Sequence, residues 1–484
     1  MSNEKGLLNN FVWKFAERIS AQLISTVISI VLARLLAPSD YGVISMVMIF
    51  ITLANVFISD GFGNALIQKK NATPLDFFSV LYFNIAFSCV LYLILFFSAP
   101  IIASFYGEEY EILIPVLRVL GLRIILTAVN SVQEAYISKK MMFRIFFVST
   151  IFGTAISAIV GLVMAYMGYG VWALVAQYLI NTTMSTLVLT IVLKKKPKLI
   201  FSFNCLRELF PFGARILGRG LLITGFEEAR ALIIGKVYSS SDLAFYDKAK
   251  NFPVLVVGNI NSSIGAVLFP KMANEQDHIE RLKETTRNSI RFSSFIIFPA
   301  LLGLAAVAEP FIRVLLTEKW LPCVPLMQLL CIVYLFQPIH TANLQAIKAI
   351  GRSDIYLKLE VVKKVIELIT LLCVMWVSVE AITIGMAACA TSFTLVNAFP
   401  NIKLLGYSFK EQMSDILPNL TMSLIMAVFV LGIGSLPIND LNKLIFQVIL
   451  GGIAYIIMAL ITKNTQFKFI IDLIINKVHI NNKM

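Results

Sequence analysis

Long apolar stretches recur from residue 11 to residue 463, and only short polar loops part them. Few folds accept that pattern. A helix needs about 20 consecutive apolar residues to cross a hydrocarbon core of about 30 Å. A soluble chain needs far more polar surface than this one offers. Of its 484 residues, 58% are hydrophobic and 14% are charged. The strands of a transmembrane barrel would read as weak alternations of about ten residues, unlike these continuous runs. The chain therefore reads as an all-α polytopic membrane protein.

Fourteen spans are expected, at 11–36, 42–67, 77–104, 112–138, 145–167, 171–194, 209–237, 243–270, 287–316, 322–350, 356–377, 381–405, 415–436 and 440–463. The chain opens on a short, largely polar segment, and the first apolar stretch carries Glu17 and Arg18. It is expected to be a retained helix rather than a cleaved signal.

Charge fixes the expected orientation. Alternate loops, with the near ends of the spans, collect Lys69 and Lys70, then Lys139, Lys140 and Arg144, then Lys194, Lys195, Lys196 and Lys198. The same alternation continues to Lys463 and Lys468. The opposite loops hold one cation, Lys319, and one of them is acidic (YGEEYE, 106–111). The positive-inside rule then places both termini in the cytoplasm. The net charge of +13 is spread over these short loops, so it sets orientation and contact with anionic lipid heads. Nucleic-acid binding is not expected, and no loop is long enough for a soluble domain.

The chain matches itself at a shift of 202 residues. LARLLAPSDYGVISMVMIFITLANVFISDGFGNALIQK (32–69) lies without a gap over the segment that runs from Ile234 to Lys271. Ser39 falls on Ser241, Asp40 on Asp242, Gly63 on Gly265 and Leu66 on Leu268. With a small insertion, Glu108 falls on Glu318 and Pro115 on Pro325. The repeat unit is six helices, so both copies enter the membrane in the same sense. Such parallel repeats are one of the transporter architectures. The expected organisation is a six-helix lobe over 1–200, a second over 201–406, and two extra helices with a tail over 407–484.

Ionisable groups at membrane depth cost roughly 2.5–3.5 kcal/mol each, so they face an interior or a cavity. On the seventh helix Arg215, Arg219, Arg230 and Lys236 fall on one face about 120° wide, with Glu227 at its border and Glu228 off it. The first helix carries Arg18, Gln22, Ser25 and Ser29 within about 60°. The fourth carries Arg123, Thr127, Asn130 and Glu134 at i, i+4, i+7 and i+11. The second adds Asn55, Ser59 and Asp60, and the eighth adds Asp247, Lys248 and Lys250. Lys236, Arg118 and Arg313 sit near helix ends, where snorkelling suffices. The net sign of these faces is positive. They are expected to line a cavity that takes an anion, and guanidinium forks suit phosphate oxygens. The acids Glu17, Asp60, Glu134, Glu227 and Asp247 are candidates for proton or sodium coupling.

Several chemistries are not expected. No Walker A sequence is present, and no Ser nucleophile elbow. The six cysteines show no CxxC pairing and read as small buried hydrophobes. Three histidines without HExxH spacing make no metal site. No cofactor is expected, and the chain does not read as an enzyme.

Three segments carry a resemblance: LARLLAPSDYGVISM (32–46), FPFGARILGRGLLITGFEEARALIIGKVYSSSDLAFYDKAKNFP (210–253) and INSSIGAVLFPKM (260–272). They resemble bacterial polysaccharide flippases of the O-antigen and colanic-acid type, within the multidrug/oligosaccharidyl-lipid/polysaccharide exporter superfamily. The resemblance covers nearly the whole chain. It implies two six-helix lobes around a cavity, working by alternating access in the bacterial inner membrane. It implies a polyprenyl-diphosphate-linked oligosaccharide as cargo, and glycan polymerase or ligase machinery as partners. Members usually show an Asp before the LIG of the seventh helix, where this chain has GFEEARALIIG with Glu227 or Glu228. A peptidoglycan-precursor flippase or a cation-coupled drug exporter of the same superfamily are the alternatives. A drug exporter's cationic cargo suits an acidic cavity, and these faces are basic.

Overall fold

A computed structural model describes residues 20, 22–194 and 198–468, with backbone alone at 60, 262–267, 269 and 270. Among the described residues every regular element is a helix. We number them α1 (Gln22–Leu35), α2 (Pro38–Ile58), α3 (Asn64–Gln68), α4 (Pro74–Tyr106), α5 (Leu113–Lys140), α6 (Phe143–Tyr166), α7 (Val171–Leu193) and α8 (Phe203–Val237). There follow α9 (Ser240–Asn274), α10 (Ile279–Ala306), α11 (Ala308–Leu316), α12 (Cys323–Leu335), α13 (Gln337–Ala349), α14 (Ser353–Val374), α15 (Val379–Leu405), α16 (Phe409–Gly434) and α17 (Asp440–Ile461). Among the described residues ten stretches are long and apolar enough to cross a membrane. α14 is more charged than these, and its charges pair along the helix as Lys363 with Glu360 and Lys364 with Glu367.

Helix ends follow from local chemistry. The loop before α2 is closed by Asp40, whose Oδ2 accepts from the Ala37 N–H at 3.1 Å. Pro38 sits in the first turn, where its missing N–H costs nothing. The same device recurs 202 residues later: Asp242 Oδ2 accepts from the Ser239 N–H at 3.1 Å. A 3₁₀ turn at Glu108–Tyr110 likewise has a counterpart at Glu318–Trp320. The pairs matched in the sequence thus take up matching local geometry.

Three expected helices are not continuous. Between α2 and α3 the backbone winds as a π-helix over Ser59–Gly63. The stretch 287–316 divides into α10 and α11, and 322–350 into α12 and α13. Pro310 lies in the first turn of α11 and Pro338 in that of α13. A proline has no N–H to give to the preceding turn, so it starts a helix more readily than it continues one.

The chain parts into two compact units, Met1–Ala244 and Phe245–Met484. In the first, α6 lies against α7 and α4 against α5. Small residues permit the close approach: a Cβ on Gly153 would stand 2.3 Å from Ser185 Oγ. Gly42 is tighter still, since a Cβ there would meet the Ser240 carbonyl oxygen at 1.8 Å. α8 packs with this unit, along α2, α4 and the π-helix. Leu206 and Leu209 bury with Ala65, Leu66, Val80 and Val132.

In the second unit, α10 is the central helix. Val257, Ile290, Phe298, Leu301, Leu335, Ile339 and Ile416 form its core. α16 is fastened to α10 by charge. Asp415, almost fully buried, accepts from Arg287 Nε at 2.8 Å, from Arg291 Nε at 2.9 Å and from the Tyr407 hydroxyl at 2.7 Å. Asn419 Nδ2 adds bonds to the Arg291 carbonyl at 3.0 Å and Ser294 Oγ at 2.8 Å. α17 is held to α10 by the Tyr455 hydroxyl, which donates to the Phe295 carbonyl at 2.9 Å.

Asp415→Ala should be among the most destabilising single changes in the second unit. It leaves two guanidinium groups and a phenol without their shared acceptor. Breaking a fully buried pair costs roughly 3–5 kcal/mol. Both arginines are about one-third exposed, so about 2–3 kcal/mol is expected. The measurement is the thermal unfolding midpoint of the purified protein in detergent. An unchanged midpoint would show that α16 is held by apolar packing alone.

Candidate functional site

Four helical elements of the first unit enclose a cavity of about 300 Å³. α5 supplies Arg123, Thr127, Asn130, Ser131 and Glu134. α6 supplies Ser149 and Thr150, α7 supplies Asn181, Thr182 and Ser185, and the π-helix supplies Ser59. Only Phe146 and Leu189 among the lining residues are apolar. The α5 contribution follows from spacing, because i, i+4, i+7 and i+11 return to one face.

The wall is held together by hydrogen bonds that leave its oxygens usable. Thr127 Oγ1 donates to the Arg123 carbonyl at 2.9 Å, Thr150 Oγ1 to Phe146 at 3.0 Å and Thr182 Oγ1 to Tyr178 at 3.2 Å. A hydroxyl that has given its proton to its own helix still offers lone pairs. Asn130 Nδ2 donates to Thr186 Oγ1 at 3.3 Å, which joins α5 to α7. Asn181 Nδ2 reaches Thr154 Oγ1 and Ser157 Oγ, each at 3.4 Å, which joins α7 to α6.

Arg123 is the cation of this cavity. Its Nε donates to Thr182 Oγ1 at 3.0 Å, and its guanidinium carbon lies 5.5 Å from the centre of the Tyr178 ring. Among the described residues no carboxylate pairs with it. A guanidinium has five donors in a fixed fork, so most of its capacity is open to a bound oxyanion. Glu134 lies about 16 Å further along the same helix. The cavity thus runs from a cation at one end, past hydroxyls and amides, to a carboxylate. Such a lining can hold an anion and a polyhydroxylated group side by side.

The other residues singled out in the sequence are placed as follows. Glu17 and Arg18 lie outside the described residues, and of Asp60 only the backbone, within the π-helix, is described. Gln22 begins α1 and is half-buried. Arg215, Arg219, Glu227 and Arg230 all lie on α8, and none lines the α5–α6–α7 cavity. Arg215, Arg219 and Glu227 are exposed and Arg230 is half-buried. Between Gly213 and Ile234 no α8 residue is buried, so that helix is anchored at its ends and open along its middle. Lys236 rests with its ammonium 5.1 Å from the centre of the Phe105 ring. On α9, Asp247 and Lys250 are half-buried. Lys248 is buried in the second unit, 5.7 Å from the Trp320 ring centre. Arg118 and Arg313, at helix ends, have local partners: the Phe96 carbonyl for one, Glu309 and Glu318 for the other.

The sequence reading grouped the α5 face but passed over the uncharged faces of α6 and α7. The signal was present. Tyr178, Thr182, Thr186 and Thr190 repeat every four residues, and so do Asn181 and Ser185. A search anchored on ionisable groups passes over stripes made of hydroxyls and amides alone.

A family model described as a polysaccharide biosynthesis protein matches residues 31–325. The chain is 26% identical over 304 residues to the teichuronic acid biosynthesis protein TuaB of Bacillus subtilis (strain 168), and spans just under two thirds of that relative's length, 62% of each chain being covered. It is 24% identical over 418 residues to the lipopolysaccharide biosynthesis protein WzxC of Escherichia coli (strain K12), covering 83% of this chain and 84% of that one. Its fold is similar to that of the lipid II flippase MurJ in an inward closed conformation. The TM-score is 0.75 at 16% identity, over 96% of this chain and 100% of that one. The family match spans well over half of the residues, from the end of α1 into α12. The chain belongs to the polysaccharide biosynthesis protein family.

Proposed function

We propose that the chain is a flippase for polyprenyl-diphosphate-linked oligosaccharide units. It carries them from the cytoplasmic to the outer leaflet of the bacterial inner membrane, for assembly of lipopolysaccharide, capsule or exopolysaccharide. All fourteen helical stretches cross the bilayer in this reading, with both termini in the cytoplasm. They form six-helix lobes at 1–200 and 201–406, and 407–484 adds two helices and a tail. Alternating access of a central site moves the cargo. Glycan polymerase or ligase machinery would receive it.

The observation that carries the reading is Arg123, a cation with no carboxylate partner among the described residues, at one end of a cavity walled by hydroxyls and amides. The diphosphate meets Arg18, Arg123, Arg215, Arg219 and Arg230. The glycan lies against Gln22, Asn130 and the hydroxyl wall, and the lipid tail stays in the bilayer. An inside-negative potential favours outward movement of an anion by about 2.3 kcal/mol per charge per 100 mV. Glu134 is the coupling candidate that lines the cavity; Glu17, Asp60, Glu227 and Asp247 remain candidates beside it.

Two measurements test this. In proteoliposomes loaded with a polyprenyl-diphosphate oligosaccharide, a glycan probe on the outer-leaflet side reads translocation. Arg123→Ala should lower the rate about ten- to a hundredfold, the worth of a charged hydrogen bond. Arg219→Ala should abolish transport, and neither change should affect insertion. Normal transport by both variants would remove the cationic site from the mechanism. Transport of lipid II instead of the oligosaccharide would favour the peptidoglycan-precursor reading, and transport of cationic dyes the drug-exporter reading.

Orientation is tested separately. Single cysteines are introduced at Tyr169 and Lys140 in a cysteine-free chain. A membrane-impermeant maleimide added to spheroplasts should label position 169 and not 140. The opposite pattern would invert the topology.

A further inference from the structure

A second concavity, of about 390 Å³, lies in the same unit at the other side of α5. It opens between the first turns of α4 and the last turns of α5 and α7. These ends carry the lysine-rich loops, so the groove sits at a membrane surface. Its floor is apolar, with Phe77, Leu81, Val132 and Tyr136. The Phe77 and Tyr136 rings meet edge to face, with centres 5.4 Å apart. Its rim is formed by Lys70, Lys139 and Lys140, and no carboxylate lines it.

The three rim lysines are not equivalent. Lys139 Nζ donates to the carbonyls of Leu66 at 3.1 Å and Ile67 at 3.3 Å, and also to that of Lys69, so it closes the end of α3. Its charge is fixed at the rim. Lys70 and Lys140 are exposed, and among the described residues neither makes a hydrogen bond or an ion pair. The adjacent Lys69 takes up both nearby acids, Asp76 at 3.0 Å and Glu208 at 2.9 Å. Two ammonium groups therefore stand over an apolar cleft with no anion of the protein's own. The occupant must be an amphiphile: an anionic head against the lysines and hydrocarbon along the floor.

We propose that this groove binds one anionic phospholipid of the leaflet that faces the lysine-rich loops. Its phosphate lies between Lys70 and Lys140, and an acyl chain runs over Phe77, Leu81 and Val132. Basic pockets between transmembrane helices on the cytoplasmic side recognise such headgroups. The inference rests on the groove's shape and charge and is independent of the cargo. The groove shares no lining residue with the Arg123 cavity.

The test uses the full chain purified in a neutral detergent and titrated with dioleoyl phosphatidylglycerol or dioleoyl phosphatidylcholine. Native mass spectrometry counts retained lipid. One phosphatidylglycerol should be retained at least tenfold more tightly than phosphatidylcholine. The double variant Lys70→Gln/Lys140→Gln should weaken that retention about thirtyfold, from roughly fivefold per lysine near an anionic lipid. Leu81→Trp, which fills the floor and leaves every charge in place, should weaken it as well. Lys403→Gln/Lys410→Gln removes the same charge from exposed lysines elsewhere and should change nothing. An equal loss in that control pair would overturn the proposal, because the effect would then be bulk surface charge. Displacement of the lipid by inorganic phosphate at equal concentration would overturn it too, because the site would then hold a free anion.

Discussion

A polar group in hydrocarbon must be satisfied within the protein, and that constraint shapes the hydroxyl-rich helices of this chain. α7 shows how it is met. Thr182, Thr183, Thr186 and Thr190 each donate to the carbonyl four residues earlier. The proton is accommodated inside the helix, so no partner helix is needed for it. The oxygen still faces outward as an acceptor. A helix built this way can insert as an apolar rod and yet present a polar stripe once packed. The cavity behind Arg123 is such a stripe set against the matching faces of α5 and α6.

The second unit meets the same constraint with amides and ions. Asn343 Nδ2 donates to Gln412 Oε1 at 2.9 Å, and Asn401 Nδ2 donates to Asn343 Oδ1 at 2.7 Å. These bonds join α13, α15 and α16. Asn464 extends the set by donating to Asn419 Oδ1 at 3.0 Å. Networks of this kind specify one packing register, since a slip of one turn would bury several amides without partners. The first unit instead puts its uncharged polar side chains largely around an open space.

Much of this was legible in the sequence, for stated physical reasons. The helical stretches expected from residue 42 onward fall on helices, three of them interrupted or divided, because apolar length is a strong signal. The grouping of Arg123, Thr127, Asn130 and Glu134 was legible because helical spacing alone brings them to one face. Their partners on α6 and α7 were not, because which faces meet depends on packing between helices, and hydroxyls carry no charge to mark them. The breaks before Ala308 and Gln337 were written in Pro310 and Pro338, yet proline also occurs inside continuous helices here, as Pro100, Pro211 and Pro400 show. Lys248 illustrates the converse limit. Its residue type suggested a cavity, and its depth beside Trp320 is a property of the tertiary fold.

The π-helix at Ser59–Gly63 bears on the internal repeat. The two copies align there without a gap, residue for residue, yet the second copy is continuous α-helix from Ser240 to Asn274. A single wide turn takes up one more residue than an α turn, so everything beyond it is rotated by roughly 100° relative to its counterpart. Two stretches that match in sequence thus wind differently, one through a π turn and one as α-helix throughout. Asymmetry between the copies needs no insertion, deletion or new side chain, only a change in how five residues wind.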